Sequence, residues 1–146
     1  MLAEAGSLTM FLTTYGVFWC EDPYLNVRGV GCIRVVDDAQ YNRTEAHSIC
    51  IDEYAKLFYA ENPVHLNRLY TNFLFLRAEK TVALWVATVS GFWVLKPTEN
   101  RSIGADELEP SKMVTDESHT INPITGKLVG RFVSDTAGYI CEKKYP

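Results

Sequence analysis

The hydrophobic positions of this chain fall into short runs of differing period. Phe11, Thr13, Tyr15, Val17 and Trp19 are β-formers at spacing two, which predicts a strand within residues 7–19. Residues 27–36 (VRGVGCIRVV) are β-rich and punctuated by glycine, the pattern of a hairpin. A helix is expected next, capped by Thr44, with Ala46, Ile49, Cys50 and Tyr54 on one face. Residues 55–59 form a short apolar exit segment. The clearest helix opens with Asn62 as N-cap and Pro63 as first helical residue. Leu66, Leu69, Tyr70, Phe73 and Leu74 then recur at helical spacing, and its end is expected within residues 77–80.

Residues 82–89 (VALWVATV) are continuously apolar and read as one buried strand, with a second short strand over residues 92–95. Periodicity then disappears from residue 96 to 118, a stretch with two prolines and six acidic residues. An irregular segment of about 20 residues inside a compact domain implies a functional loop or disorder. Strands return at residues 127–133 and 138–141. Helices segregated from an antiparallel sheet make this an α+β layout, with no internal repeat.

The length of 146 residues suits one domain with its own core. Residues 7–19 are also apolar enough for a signal-peptide core, but no Lys or Arg precedes them and Glu4 stands where positive charge is expected, so the strand is favoured. Residues 1–19 are read as an N-terminal extension, either that strand or residues foreign to the native chain, and residues 20–146 as the domain. The 14 Lys and Arg are spread along a chain of net charge −4, which excludes the concentrated basic face of a nucleic-acid binder. No window supplies the apolar length of a membrane span.

Four cysteines, Cys20, Cys32, Cys50 and Cys141, contain no CxxC pair and no His at zinc-ligand spacing, and they allow three disulfide pairings. Two glycosylation sequons, Asn42-Arg43-Thr44 and Asn100-Arg101-Ser102, together with the even cysteine count favour an oxidised extracellular domain, secreted or the ectodomain of a membrane protein.

These residues resemble the C-type lectin-like domain. The resemblance rests on Cys20-Glu21-Asp22-Pro23-Tyr24-Leu25, Cys32, Thr44-Glu45-Ala46 with Cys50, Ala55-Lys56-Leu57, Trp85-Val86-Ala87, and Tyr139-Ile140-Cys141-Glu142, in that order over residues 20–144. It implies a fold of two helices, antiparallel sheets and a long loop, with disulfides Cys50–Cys141 and Cys20–Cys32. The family's further long-loop cysteines would fall near His119 and Val133, so here that loop is not stapled.

Sugar-binding members of the family hold a calcium ion in the long loop. Against their motifs Glu109-Pro110-Ser111 resembles Glu-Pro-Asn, Glu117 falls on a second ligand Glu, and Leu128-Val129-Gly130 replaces Trp-Asn-Asp. The resemblance thus implies Glu109, Pro110, Ser111 and Glu117 as ligand-binding candidates, with Pro110 a candidate cis proline. With the Asn-Asp pair gone, much of the side-chain charge and ligation that tunes calcium affinity is lost. Glu109, Asp116 and Glu117 are therefore read as solvated loop carboxylates, with a weak calcium ion held by them as the alternative, and no cofactor is expected.

Other chemistry is weaker still. His47, His65 and His119 are far apart, and His119 reads as a polar loop end. Ser90 lacks a nucleophile elbow. Trp85, Phe92 and Trp93 read as core unless one is exposed to stack on a sugar. The expectation is a non-enzymatic extracellular recognition module that binds a protein partner without calcium. Its rivals are a carbohydrate-binding lectin, calcium-dependent through a rearranged site in the long loop, and a structural spacer within a larger receptor.

Overall fold

The computed structural model describes residues 9–13, 16–77, 82–96, 99–110 and 117–143. The chain opens with an antiparallel hairpin of β1 (Thr9–Thr13) and β2 (Gly16–Cys20), so the single strand expected there is two. The glycine-punctuated hairpin follows as β3 (Leu25–Val27) and β4 (Gly31–Tyr41).

Helix α1 (Arg43–Asp52) is capped by Asn42, not by Thr44. The Asn42 side chain accepts the Glu45 N–H at 2.9 Å, and the Glu45 carboxylate accepts the Asn42 N–H at 2.9 Å. This reciprocal box satisfies two backbone donors, which a cap at Thr44 could not match. Ala46 and Cys50 are fully buried.

After β5 (Lys56–Leu57), helix α2 (Pro63–Asn72) begins on its Asn62 cap as the sequence indicates, with Leu66 and Leu69 buried. It stops short of the expected end. Thr71 and Asn72 are poor helix formers. Phe73 leaves helical geometry at φ −141°, and a 3₁₀ turn (Leu74–Leu76) carries Leu74 into the core.

The apolar run over residues 82–89 divides into β6 (Leu84–Trp85) and β7 (Thr88–Val89), because the chain passes from one sheet to another between them. Strands β8 (Phe92–Lys96) and β9 (Glu99–Ser102) complete a three-stranded sheet with β7. The segment expected to be irregular thus holds a strand and a 3₁₀ turn (Ala105–Glu107). Its strand escaped the reading because one face is polar and the other carries Arg101. A further unexpected strand, β10 (Ser118–Ile121), pairs with β11 (Leu128–Arg131), and β12 (Ala137–Lys143) ends the described chain.

The main sheet runs β11-β10-β6-β12-β4-β3, with β5 also on β12. Its pairs are antiparallel except β6 with β12, a departure from the all-antiparallel expectation. Strand β12 is central and buried on both faces from Ala137 to Glu142, which explains its nearly continuous apolar sequence. Gly138 permits this crowding, since a Cβ there would lie 2.2 Å from the Val36 carbonyl oxygen.

Two disulfides tie the elements together. Cys50–Cys141 joins α1 to β12, with Cα atoms 5.5 Å apart, and Cys20–Cys32 joins β2 to β4. In the chain-entropy view the bridge spanning 91 residues is worth about 4–5 kcal/mol and the bridge spanning 12 about 3 kcal/mol. Trp85 and Trp93 are fully buried, as expected. The Trp85 indole N–H donates to the Tyr41 carbonyl at 2.8 Å, and Phe58 and Tyr59 meet Trp93 edge-on.

Candidate functional site

The residues singled out in the sequence sit at opposite ends of the β10–β11 hairpin. Glu109 lies at the turn end. Its N–H donates to the Leu128 carbonyl at 2.9 Å, and its carboxylate accepts the Thr125 hydroxyl at 2.5 Å. Glu117 lies at the other end, next to the pair Ser118–Arg131. Its carboxylate accepts the Val133 N–H at 2.9 Å, and its carbonyl accepts the Ser90 N–H at 3.1 Å.

Leu128 and Arg131 are three residues apart on one strand, roughly 10 Å at the usual rise. The two carboxylates also point away from each other along it, one toward Thr125 and one toward Val133. A calcium ion holds its oxygens at 2.3–2.6 Å, so two ligands lie within about 5 Å of each other. As placed, with one carboxylate on the Thr125 hydroxyl and the other on the Val133 N–H, Glu109 and Glu117 are not gathered at one point. Val129 and Gly130 stand in the ladder opposite Thr120 and His119. Among the described residues, no three His, Cys, Asp or Glu side chains gather to hold a metal. Ser111 and Asp116 lie outside the described residues. Pro110 is exposed and its peptide bond is not cis; the cis bond among the described residues is Asp22–Pro23.

Glu117 instead organises a junction of three segments. Ser90 and Gly91 form the β7–β8 turn with left-handed φ of 50° and 89°, the geometry a two-residue hairpin turn requires. Glu117 binds that turn through its backbone and the loop after β11 through its side chain. The strand expected over residues 127–133 ends at Arg131, so Phe132 and Val133 leave the sheet for solvent. The junction consequently displays Phe132 (67% exposed), Val133 (41%) and Val89 (43%), with Phe92 (45%) opposite Val89 in the ladder. Phe92 is thus surface, not core. Phe132 and Val133 were missed because they continue a plausible strand pattern.

The other sequence candidates are structural. His119 is fully buried in β10 and hydrogen-bonds Thr88 at 3.1 Å, so it is a core residue and not a loop end. His65 is buried beside Phe58 and accepts the Glu61 N–H at 3.1 Å. His47 lies on the outer side of α1, where the partial covering of its ring and neighbouring Arg43 hold its pKa below the ordinary value. Near His119 and Val133, where the family resemblance places a second disulfide, hydrogen bonds to Thr88 and Glu117 hold the chain.

Comparison with solved structures matches this arrangement to proteins of one architecture. The cow C-type carbohydrate-recognition domain of CD23, solved in the presence of a GlcNAc2Man3 oligosaccharide, superposes with a TM-score of 0.59 over 87% of this chain and 97% of that one, at 16% identity. The fold is C-type lectin-like. Human lithostathine (TM-score 0.57, 13% identity, 86% and 91% covered) and herring type II antifreeze protein (0.55, 15%, 87% and 100%) share this C-type lectin-like architecture. At the sequence level no family model and no curated protein matches. Among the described residues, no helix of this C-type lectin-like chain is long and apolar enough to cross a membrane.

Proposed function

We propose that this chain is a non-enzymatic extracellular recognition module that binds a protein partner without calcium, through the surface gathered around Glu117. The observation that carries this reading is the exposure of Val89, Phe132 and Val133 on the two segments that Glu117 joins. Contiguous exposed apolar side chains rimmed by polar groups mark protein interaction sites, and aromatic residues are enriched at their centres. The two disulfides support an oxidising, extracellular setting. The separation of Glu109 from Glu117 supports binding without calcium. Of the sequence candidates, Glu117 serves here as organiser of the binding surface, whereas Glu109 and Pro110 stand apart from it.

The test is binding of fluorescent tetramers of the domain to a panel of cells, in calcium and in chelator, before and after protease or glycosidase treatment. Binding is expected to survive chelator and glycosidase, to be lost after protease, and to fall at least tenfold in a Phe132→Ser variant. Binding that requires calcium and vanishes with glycosidase would establish the carbohydrate-binding lectin instead.

A further inference from the structure

Arg43 opens α1 beside this surface, and its N–H donates to the Val133 carbonyl at 3.4 Å. Its side chain is in an unusual state for this protein. Arg34, Arg77 and Arg101 are likewise partly covered and each holds a carboxylate, Glu53, Asp37 and Glu107, while the partly covered Arg131 donates from Nε to the Thr120 hydroxyl at 3.1 Å. Arg43 is partly covered, its Nε is buried without a hydrogen-bond acceptor, and no carboxylate among the described residues offsets the loss of solvent. Burial therefore pulls its pKa down.

The neighbouring acids are committed elsewhere. Glu45 closes the α1 capping box, Asp135 accepts the Phe132 N–H at 3.0 Å, and Glu117 accepts the Val133 N–H. The titratable group facing Arg43 on its own helix is His47, one turn on, which adds no negative charge.

We infer that Arg43 is the charged anchor of the recognition surface, and that the partner is an acidic protein segment placing an Asp or Glu carboxylate on Arg43 and an apolar side chain against Phe132 and Val133. A guanidinium already stripped of part of its water has paid some of the desolvation cost of binding before the partner arrives. It presents a planar fork that matches a carboxylate. Arginine next to exposed aromatic surface is also the composition of interface hot spots. This inference rests on the protein-partner reading and specifies the chemistry of that partner.

The experiment pans the secreted, disulfide-bonded domain against a displayed library of random twelve-residue peptides. The recovered peptides are expected to pair Asp or Glu with aromatic or aliphatic residues and to weaken as salt rises. They should lose at least tenfold in affinity for Arg43→Met, with partial retention by Arg43→Lys. The Arg43→Met variant is expected to melt no lower than the parent, because the charge has no partner to lose. A drop of more than about 3 °C would reveal an internal partner and overturn the inference. So would peptides without acidic residues, peptides that bind Arg43→Met unchanged, no recovered binder, or an Arg43-dependent preference for a sulfated oligosaccharide probe over peptides. If those results arise while Phe132→Ser still abolishes protease-sensitive cell binding, the Arg43 assignment falls and the protein-partner reading stands. If cell binding is calcium-dependent and glycosidase-sensitive, the reading itself falls.

Discussion

Arg101 and Glu107 form a salt bridge at 2.6 Å in which the Glu107 side chain is only 2% exposed. The second guanidinium nitrogen reaches the other carboxylate oxygen at 3.0 Å, Nε donates to the Ala60 carbonyl at 2.7 Å, and the guanidinium lies over Trp93 at 5.4 Å. Glu107 also accepts the Gly104 N–H at 2.7 Å. Two residues from the segment that looked irregular thus lock β9 and its 3₁₀ turn onto the core.

Because the pair is buried and fully bonded, removing one partner leaves the other uncompensated. Glu107→Ala is expected to cost about 3–5 kcal/mol in urea unfolding. An Arg101→Met, Glu107→Leu double variant should lose much less than the sum of the single changes, since it leaves no orphaned charge. Additive losses would show that the two side chains do not act as a unit.

Glu53 supplies a pH dependence. Burial alone would raise its pKa, but hydrogen bonds from Arg34 and Tyr24, the latter at 2.6 Å, outweigh it and hold the carboxyl below the ordinary value. A depressed folded-state pKa contributes stability that is present above the unfolded value, near 4.3, and is lost as pH falls through the folded value. Glu53→Gln should therefore cost about 1–2 kcal/mol at pH 7 and progressively less below about pH 4. Thermal melts of parent and variant from pH 7 to pH 2.5 should converge toward the acid end.

Both sequons are expected to carry glycan after passage through a secretory pathway. The Asn42 amide oxygen accepts the Glu45 N–H and leaves the amide nitrogen for a sugar, while Asn100 is exposed on β9, the edge strand of its sheet. Thr44→Ala removes the first site without touching the cap, so it should eliminate that glycan and shift Tm by less than about 1 °C. Asn42→Ala removes cap and glycan together and should cost about 1 kcal/mol. Peptide mapping that finds both sites bare would count against secretion.

How much of this was legible in the sequence depended on whether a feature was local. The Asn62–Pro63 start of α2, the hairpin around Gly31 and the buried Trp85 and Trp93 follow from cap chemistry, turn residues and hydrophobicity. Thr44 was a reasonable cap, but only the reciprocal bond between Asn42 and Glu45 decides between two good candidates. The end of α2 depends on steering Leu74 into the core, and the division of residues 82–89 on two sheets sharing one apolar run. Neither leaves a local signature. At the site, alignment to family motifs found Glu109 and Glu117 but could not show that a strand's length separates them. Arg43, Phe132 and Val133 come together only through Val133, whose N–H meets Glu117 and whose carbonyl meets Arg43, across 90 residues of chain in the latter case.

The central claim is that this C-type lectin-like fold recognises its ligand without a calcium site in the long loop. Its most direct test is thermal unfolding in millimolar calcium against chelator, with parent protein and a Glu109→Gln, Glu117→Gln double variant. A site saturated a hundredfold over its Kd would add about 2.7 kcal/mol, a shift of several degrees. The two parent melts are predicted to coincide. A calcium-dependent rise of more than about 3 °C that disappears in the double variant would contradict the account.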